Sequence, residues 1–172
     1  GSSTTYNFNS IAVNFCGFPL PPVPGGVSGA TLWYRSDIGI TNNTGVQQWS
    51  NQASASYNLA QATVAARPAF NTATSLINFN PTVGFDGAND FLQVPVVPRD
   101  VVINTSNRTS HYVVYRMNTA TAPYLYQHSN NASGIFAIGA GSNQMLAGGR
   151  NSNFTVISRG ETRLQSIQAD AS

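Results

Sequence analysis

Hydrophobic and polar residues alternate along this chain with a period of two, in short bursts separated by turn residues. Tyr6 and Phe8 alternate with Asn7 and Asn9, and Ile11, Val13 and Phe15 continue after a one-residue slip. That pattern predicts a strand with a bulge. Leu32 and Tyr34 alternate with Thr31, Trp33 and Arg35, which predicts a strand over Ala30 to Arg35. Short strands are expected at Val46 to Trp49, Leu59 to Val64, Ile77 to Phe79, Thr82 to Phe85 and Phe91 to Val94. His111 to Met117 is the clearest strand. Tyr124 to His128, Gly134 to Ile138, Gln144 to Ala147 and Phe154 to Ile157 follow. Glu161 to Ala169 fits either a short helix or a final strand. No segment sustains a 3.6-residue period over three turns, and short strands spaced by turn signals indicate a sandwich or a barrel.

The punctuation agrees. Thr41 to Gly45 (TNNTG) is a turn cluster, Asn80-Pro81 and Asp86-Gly87 are turns, and Arg67-Pro68 forces extended or turn geometry. Gly17 to Gly26 holds four prolines, which excludes a central strand and predicts a semi-rigid strap. Residues 1–26 are therefore expected to form an N-terminal strand and strap, and residues 27–172 the main domain.

Composition sharpens the fold class. The 172 residues are 41% hydrophobic, enough for a core, but only 8% charged, about a third of the usual value of about 25%. All eight basic residues are arginines, and Glu161 is the sole glutamate. Long helices usually wet their outer faces with Glu and Lys. This chain uses Asn, Ser, Thr and Gln, residues of turns and strands, so an all-β protein is expected. The net charge of +2 is spread without a cluster, which argues against a nucleic-acid groove. No apolar run reaches the length of about 18 residues that a membrane helix requires. Cys16 is the only cysteine, which leaves no internal disulfide framework. The lysine-free, amide-rich surface fits an extracellular or cell-surface protein.

Three stretches in order carry a resemblance: PGGVSGATLWYRSDIGI (Pro24 to Ile40), VQQWSNQASASYNLAQAT (Val46 to Thr63) and INFNPTVGFDGANDFLQVP (Ile77 to Pro95). They resemble the concanavalin A-like, LamG-like jelly-roll domains of secreted multidomain proteins, Bacteroidota type. FDGAND, Phe85 to Asp90, is the most specific piece. The resemblance implies an antiparallel jelly-roll sandwich of two sheets. The chain also departs from the pattern. The tryptophan loop reads NQASASYN, with Asn51 where an aspartate is common, and the family's later motifs are missing. A jelly roll interrupted at its C-terminal end would leave an open edge for strand addition from another chain.

The candidate chemistry is sparse. Glycosidases of this fold need paired carboxylates on a Glu-x-Asp-x-x-Glu strand, and one glutamate cannot supply them. No G-x-S-x-G motif accompanies His111 or His128, and zinc through those two histidines lacks a third ligand. The reading is therefore non-catalytic. Calcium takes oxygens from carboxylates and amides, and Asp86, Asn89 and Asp90 are the candidate ligands, with turn capping as the structural alternative. Glycan binding uses exposed aromatic faces ringed by amides. Trp49, Asn51, Tyr57, Tyr124 and Tyr126 are the candidates, with core packing as the alternative for each aromatic. Two functions follow. One is a glycan-binding or adhesive module of a larger secreted protein. The other is an assembly subunit of an extracellular filament or appendage, self-associating through the Tyr6 to Phe15 strand.

Overall fold

The computed structural model describes residues 23–24, 28–72, 77, 79–94, 109–117, 126–128, 136–138, 144–147, 150–153, 160 and 162–169. The expected strands at Tyr6 to Phe15 and Phe154 to Ile157, most of the proline strap, Cys16 and Tyr124 lie outside these residues.

The described elements are strands and one short 3-10 turn, Val64–Ala66, with no α-helix among them. Every strand pair is antiparallel. The described residues are thus sheet-rich, which is compatible with the coarse expectation of an all-β architecture. β1 (Ile40–Asn42), β2 (Val46–Trp49) and β3 (Leu59–Ala60) form a sheet in the order β1-β2-β3. β4 (Ala69–Asn71) pairs with β5 (Thr82–Gly84). β6 (Thr109–Arg116) pairs along its whole length with β11 (Thr162–Ala169). β7 (Tyr126–His128), β8 (Phe136–Ile138), β9 (Gln144–Ala147) and β10 (Arg150–Asn153) form a sheet in the order β10-β9-β8-β7.

Several local expectations need correction. Among the described residues, Ala30 to Arg35 pairs with no strand. Its backbone finds other partners: the Trp33 N–H donates to Asn51 Oδ1 at 2.8 Å, and the Trp33 carbonyl accepts from the Gln52 N–H at 2.7 Å. Ile77 and Phe79 lie outside any strand, with Phe79 at φ 60° and the Asn80 N–H closing on the Ile77 carbonyl. Phe91 to Val94 contributes one isolated bridge, Gln93 to Ala60. The Thr41 to Gly45 cluster is half strand, because β1 runs to Asn42 before the turn begins. The Glu161 to Ala169 ambiguity resolves as strand β11, whose residues are set by the register with β6.

The β1–β2 turn is fixed by its neighbours. The Arg67 guanidinium donates to three carbonyls, those of Gln61 (2.9 Å), Asn43 (2.6 Å) and Ala62 (2.9 Å). The Val46 N–H donates to the Pro68 carbonyl at 2.8 Å, and Val46 and Pro68 are fully buried. Gly45 sits at φ 95°, and a Cβ there would lie 2.7 Å from the Arg67 Cβ. Both the dihedral and the space demand glycine. Gly45→Ala should therefore cost about 2 kcal/mol. The urea midpoint should fall with an unchanged slope, and an unchanged midpoint would refute this account of the turn.

Candidate functional site

The loop after β2 is organised by one amide. Asn51 is 6% exposed. Its Oδ1 accepts from the N–H groups of Trp33 (2.8 Å) and Ala53 (3.1 Å). Its Nδ2 donates to the carbonyls of Thr31 (3.0 Å) and Ser56 (3.0 Å) and contacts Ser54 Oγ at 3.1 Å. The Asn51 N–H donates to Asn58 Oδ1 at 2.9 Å. The side chain thus ties the strandless segment before β1 to the loop after β2.

Aromatic side chains gather around this knot. Ile40, Trp49 and Leu59 stand in one register row across β1, β2 and β3. Tyr34 meets Trp49 edge to face, with ring centroids 5.8 Å apart at 61°. The Trp49 Nε1–H donates to the Arg35 carbonyl at 2.7 Å. The Tyr34 hydroxyl donates to the Tyr57 carbonyl. Burial pushes the Tyr34 phenol up to about 12. Tyr57 itself is half-buried and holds φ 64°, an unusual conformation for a bulky residue. The Arg35 guanidinium lies 5.3 Å from the Trp33 ring centre and grips Asp37 through two bonds, of 3.0 and 2.5 Å.

The structure thus brings Trp49, Asn51 and Tyr57 together, as three of the candidate ligand residues. Asn51 serves there as internal scaffolding, since both polar atoms of its amide are engaged. Tyr126 lies in β7, and its side chain falls outside the description. Trp33, Tyr34 and Arg35 join the cluster although the sequence did not single them out. Their placement comes from bonds to residues at least 14 positions away, which no local pattern shows.

The FDGAND loop is a capped turn. Asp86 Oδ1 accepts from the N–H groups of Ala88 (2.8 Å), Asn89 (3.2 Å) and Asp90 (3.3 Å). Asp90 Oδ2 accepts from the Asp86 N–H at 3.0 Å, and Asn89 Nδ2 reaches the Ala65 carbonyl at 2.8 Å. The N–H bonds, that of Ala88 first, hold the Asp86 carboxyl below its usual range. The hydrogen bond from Arg35 does the same for Asp37.

Compared with known proteins, the chain matches no family model, no curated protein and no solved structure.

Two pH responses follow. A carboxyl with a depressed folded pKa stabilises the fold above its unfolded pKa, and that contribution is lost as pH falls through the folded value. Stability should therefore decline below about pH 4, and the double variant Asp37→Asn, Asp86→Asn should show a shallower decline in urea midpoints. At the other extreme, the raised Tyr34 pKa stabilises the fold below the unfolded value of about 10 and is lost as pH rises toward about 12. Phenolate absorbance should show a late-titrating tyrosine that Tyr34→Phe removes.

Proposed function

We propose that this chain is a non-catalytic, extracellular module for glycan binding or surface adhesion, built as a concanavalin A-like jelly roll within a larger secreted protein. The observation that supports this reading most is the edge-to-face pair of Tyr34 and Trp49, tied through the Tyr34 hydroxyl to the Tyr57 carbonyl beside one amide- and hydroxyl-rich loop. Ser54, Ala55 and Ser56 are exposed at its rim. Such a rim offers a sugar both an apolar ring face and hydrogen-bonding partners, and the ring needs little ordering when the ligand arrives. In this reading Tyr57 is the contact residue and Asn51 shapes the loop that presents it. Calcium at Asp86, Asn89 and Asp90 belongs to the same proposal. The ion would take Asp86 Oδ2, Asp90 Oδ1 and the amide oxygen of Asn89, leaving the capping Oδ1 of Asp86 and Oδ2 of Asp90 in place.

A second reading is assembly. β6 and β11 are eight residues each and pair with one another. Tyr112, Val114 and Leu164 share one face of that ribbon at 71%, 56% and 70% exposure. Among the described residues this sheet has two strands, and an exposed strand edge is a template for pairing with a further strand. That supports self-association, with the Tyr6 to Phe15 segment as the donor.

A glycan-array screen with and without chelator, run beside a light-scattering mass, separates the two. The module reading expects binding by a monomer. Tyr57→Gly removes the ring while suiting the positive φ, and should weaken that binding about tenfold or more with the fold retained. An empty array with a mass of many chains would sink this reading. Loss of that mass on deleting residues 1–22 would then support assembly.

A further inference from the structure

We infer that Phe79 is a second aromatic contact beside Tyr57, and that the ligand of this face is a neutral, linear oligosaccharide long enough to engage both rings. This rests on the glycan reading above and extends it from one sugar unit to several. Three non-glycine residues among those described hold a positive φ: Thr44, Tyr57 and Phe79. Thr44 lies in the β1–β2 turn, where such a dihedral is ordinary. Tyr57, at 64°, and Phe79, at 60°, are bulky aromatics, for which it is an outlier. Burial does not explain Phe79, because it is 73% exposed. A turn with no other duty would carry Gly or Asn at that dihedral. A strained ring held in solvent marks a position whose side chain serves something outside the fold.

The two rings are carried by loops anchored on one segment. The Tyr34 hydroxyl donates to the Tyr57 carbonyl, and Ser36 Oγ donates to the Pro81 carbonyl at 2.5 Å. Tyr34 and Ser36 are two residues apart, at most about 7 Å along the backbone. The Phe79 turn is closed by Asn80, whose N–H and Nδ2 both donate to the Ile77 carbonyl, at 2.9 and 3.2 Å. The Tyr57 loop and the Phe79 turn are thus fixed at neighbouring points. Charge then selects the ligand class. The charges of the anchoring segment, on Arg35 and Asp37, are spent on one another through two bonds. The exposed residues of the two loops, Ser54, Ala55, Ser56 and Asn80, carry none. A carboxylated or sulfated glycan finds no uncompensated cation among these residues. A neutral chain finds two ring faces, with hydroxyls and an amide beside them for its polar edges.

Titration calorimetry on the full chain tests this, using cello-, manno- and laminari-oligosaccharides of two to six units, with polygalacturonate as the charged comparison. The proteins are native chain, Tyr57→Gly, Phe79→Gly and Phe79→Asn. Glycine and asparagine both tolerate the positive φ, so the loops are retained without the rings. Native affinity should rise with length in at least one neutral series and should not depend on salt. Both Phe79 variants should weaken the longest oligosaccharides about tenfold and leave the disaccharides unchanged. Tyr57→Gly should weaken every length. Hexasaccharide binding at native strength in the Phe79 variants overturns the inference, and the glycan reading survives if Tyr57→Gly still removes that binding. Native affinity that does not grow with length overturns it too, as does a preference for polygalacturonate that salt abolishes. Binding of none of these sugars also overturns it, and the array above then decides the broader reading.

Discussion

The ordering of residues 30–60 depends on satisfying backbone groups that no strand satisfies. Thr31 to Arg35 runs beside the β1–β2–β3 sheet without pairing to it, yet it is half-buried over most of its length. Buried N–H and C=O groups left unpaired would cost more than such a short segment gains by packing. The Asn51 side chain removes part of that cost, because it presents an acceptor to one part of the segment and a donor to another, and the Gln52 N–H and the Trp49 indole N–H satisfy the Trp33 and Arg35 carbonyls. With those bonds made, Tyr34 is carried to Trp49 and the Arg35 carbonyl to the indole N–H. The amide and the aromatic cluster hold the same segment.

The same solution recurs where charged pairs or longer strands would serve in other proteins. Gln61 is 6% exposed; its Nε2 donates to the Phe91 carbonyl at 3.3 Å, and its Oε1 accepts from the Thr63 N–H at 2.9 Å. Arg67 gathers three carbonyls, and Asp86 gathers three N–H groups. Strands of two to four residues, as β1 to β5 are, leave much of the backbone outside ladders. The amides of Asn51 and Gln61, which both donate and accept, fill that gap without the desolvation cost of a buried charge, while Arg67 and Asp86 do so nearer the solvent. The chain's wealth of Asn, Gln and Ser thus serves its interior as well as its surface.

This economy bears on function. The polar groups around Trp49 are spent on the protein itself, so a ligand there meets aromatic faces and the serines of the rim more than free amides. Tyr57 is the exception in kind: its carbonyl is bound inward while its backbone holds a conformation that bulky residues avoid. The β6–β11 ribbon has the opposite character. Its ladder is regular, and its outward row of Tyr112, Val114 and Leu164 is apolar. The first surface sets aromatic side chains beside exposed serines, and the second is a row of apolar side chains.

The sequence by itself determined the all-β class. Period-two alternation placed β2, β8 and β9 within a residue or two, and the strong run at His111 to Met117 became β6. It also marked FDGAND as a turn, because Asp and Gly carry their capping chemistry locally. Tertiary structure decided the rest. Alternation in Ala30 to Arg35 looked like a strand, but a strand needs a partner, and a side chain took that place. Arg150–Asn153 has no apolar residue to betray it and is a strand only because β9 lies alongside. Ala69–Asn71 carries one large apolar residue, too little to alternate, and follows from its pairing with β5. Likewise the sequence marked Asn51 as a candidate ligand contact, and nothing local marked it as the scaffold of its loop. Its role comes from groups at positions 31, 33 and 56 meeting at one point, and such convergence of distant backbone atoms leaves no mark on a local pattern.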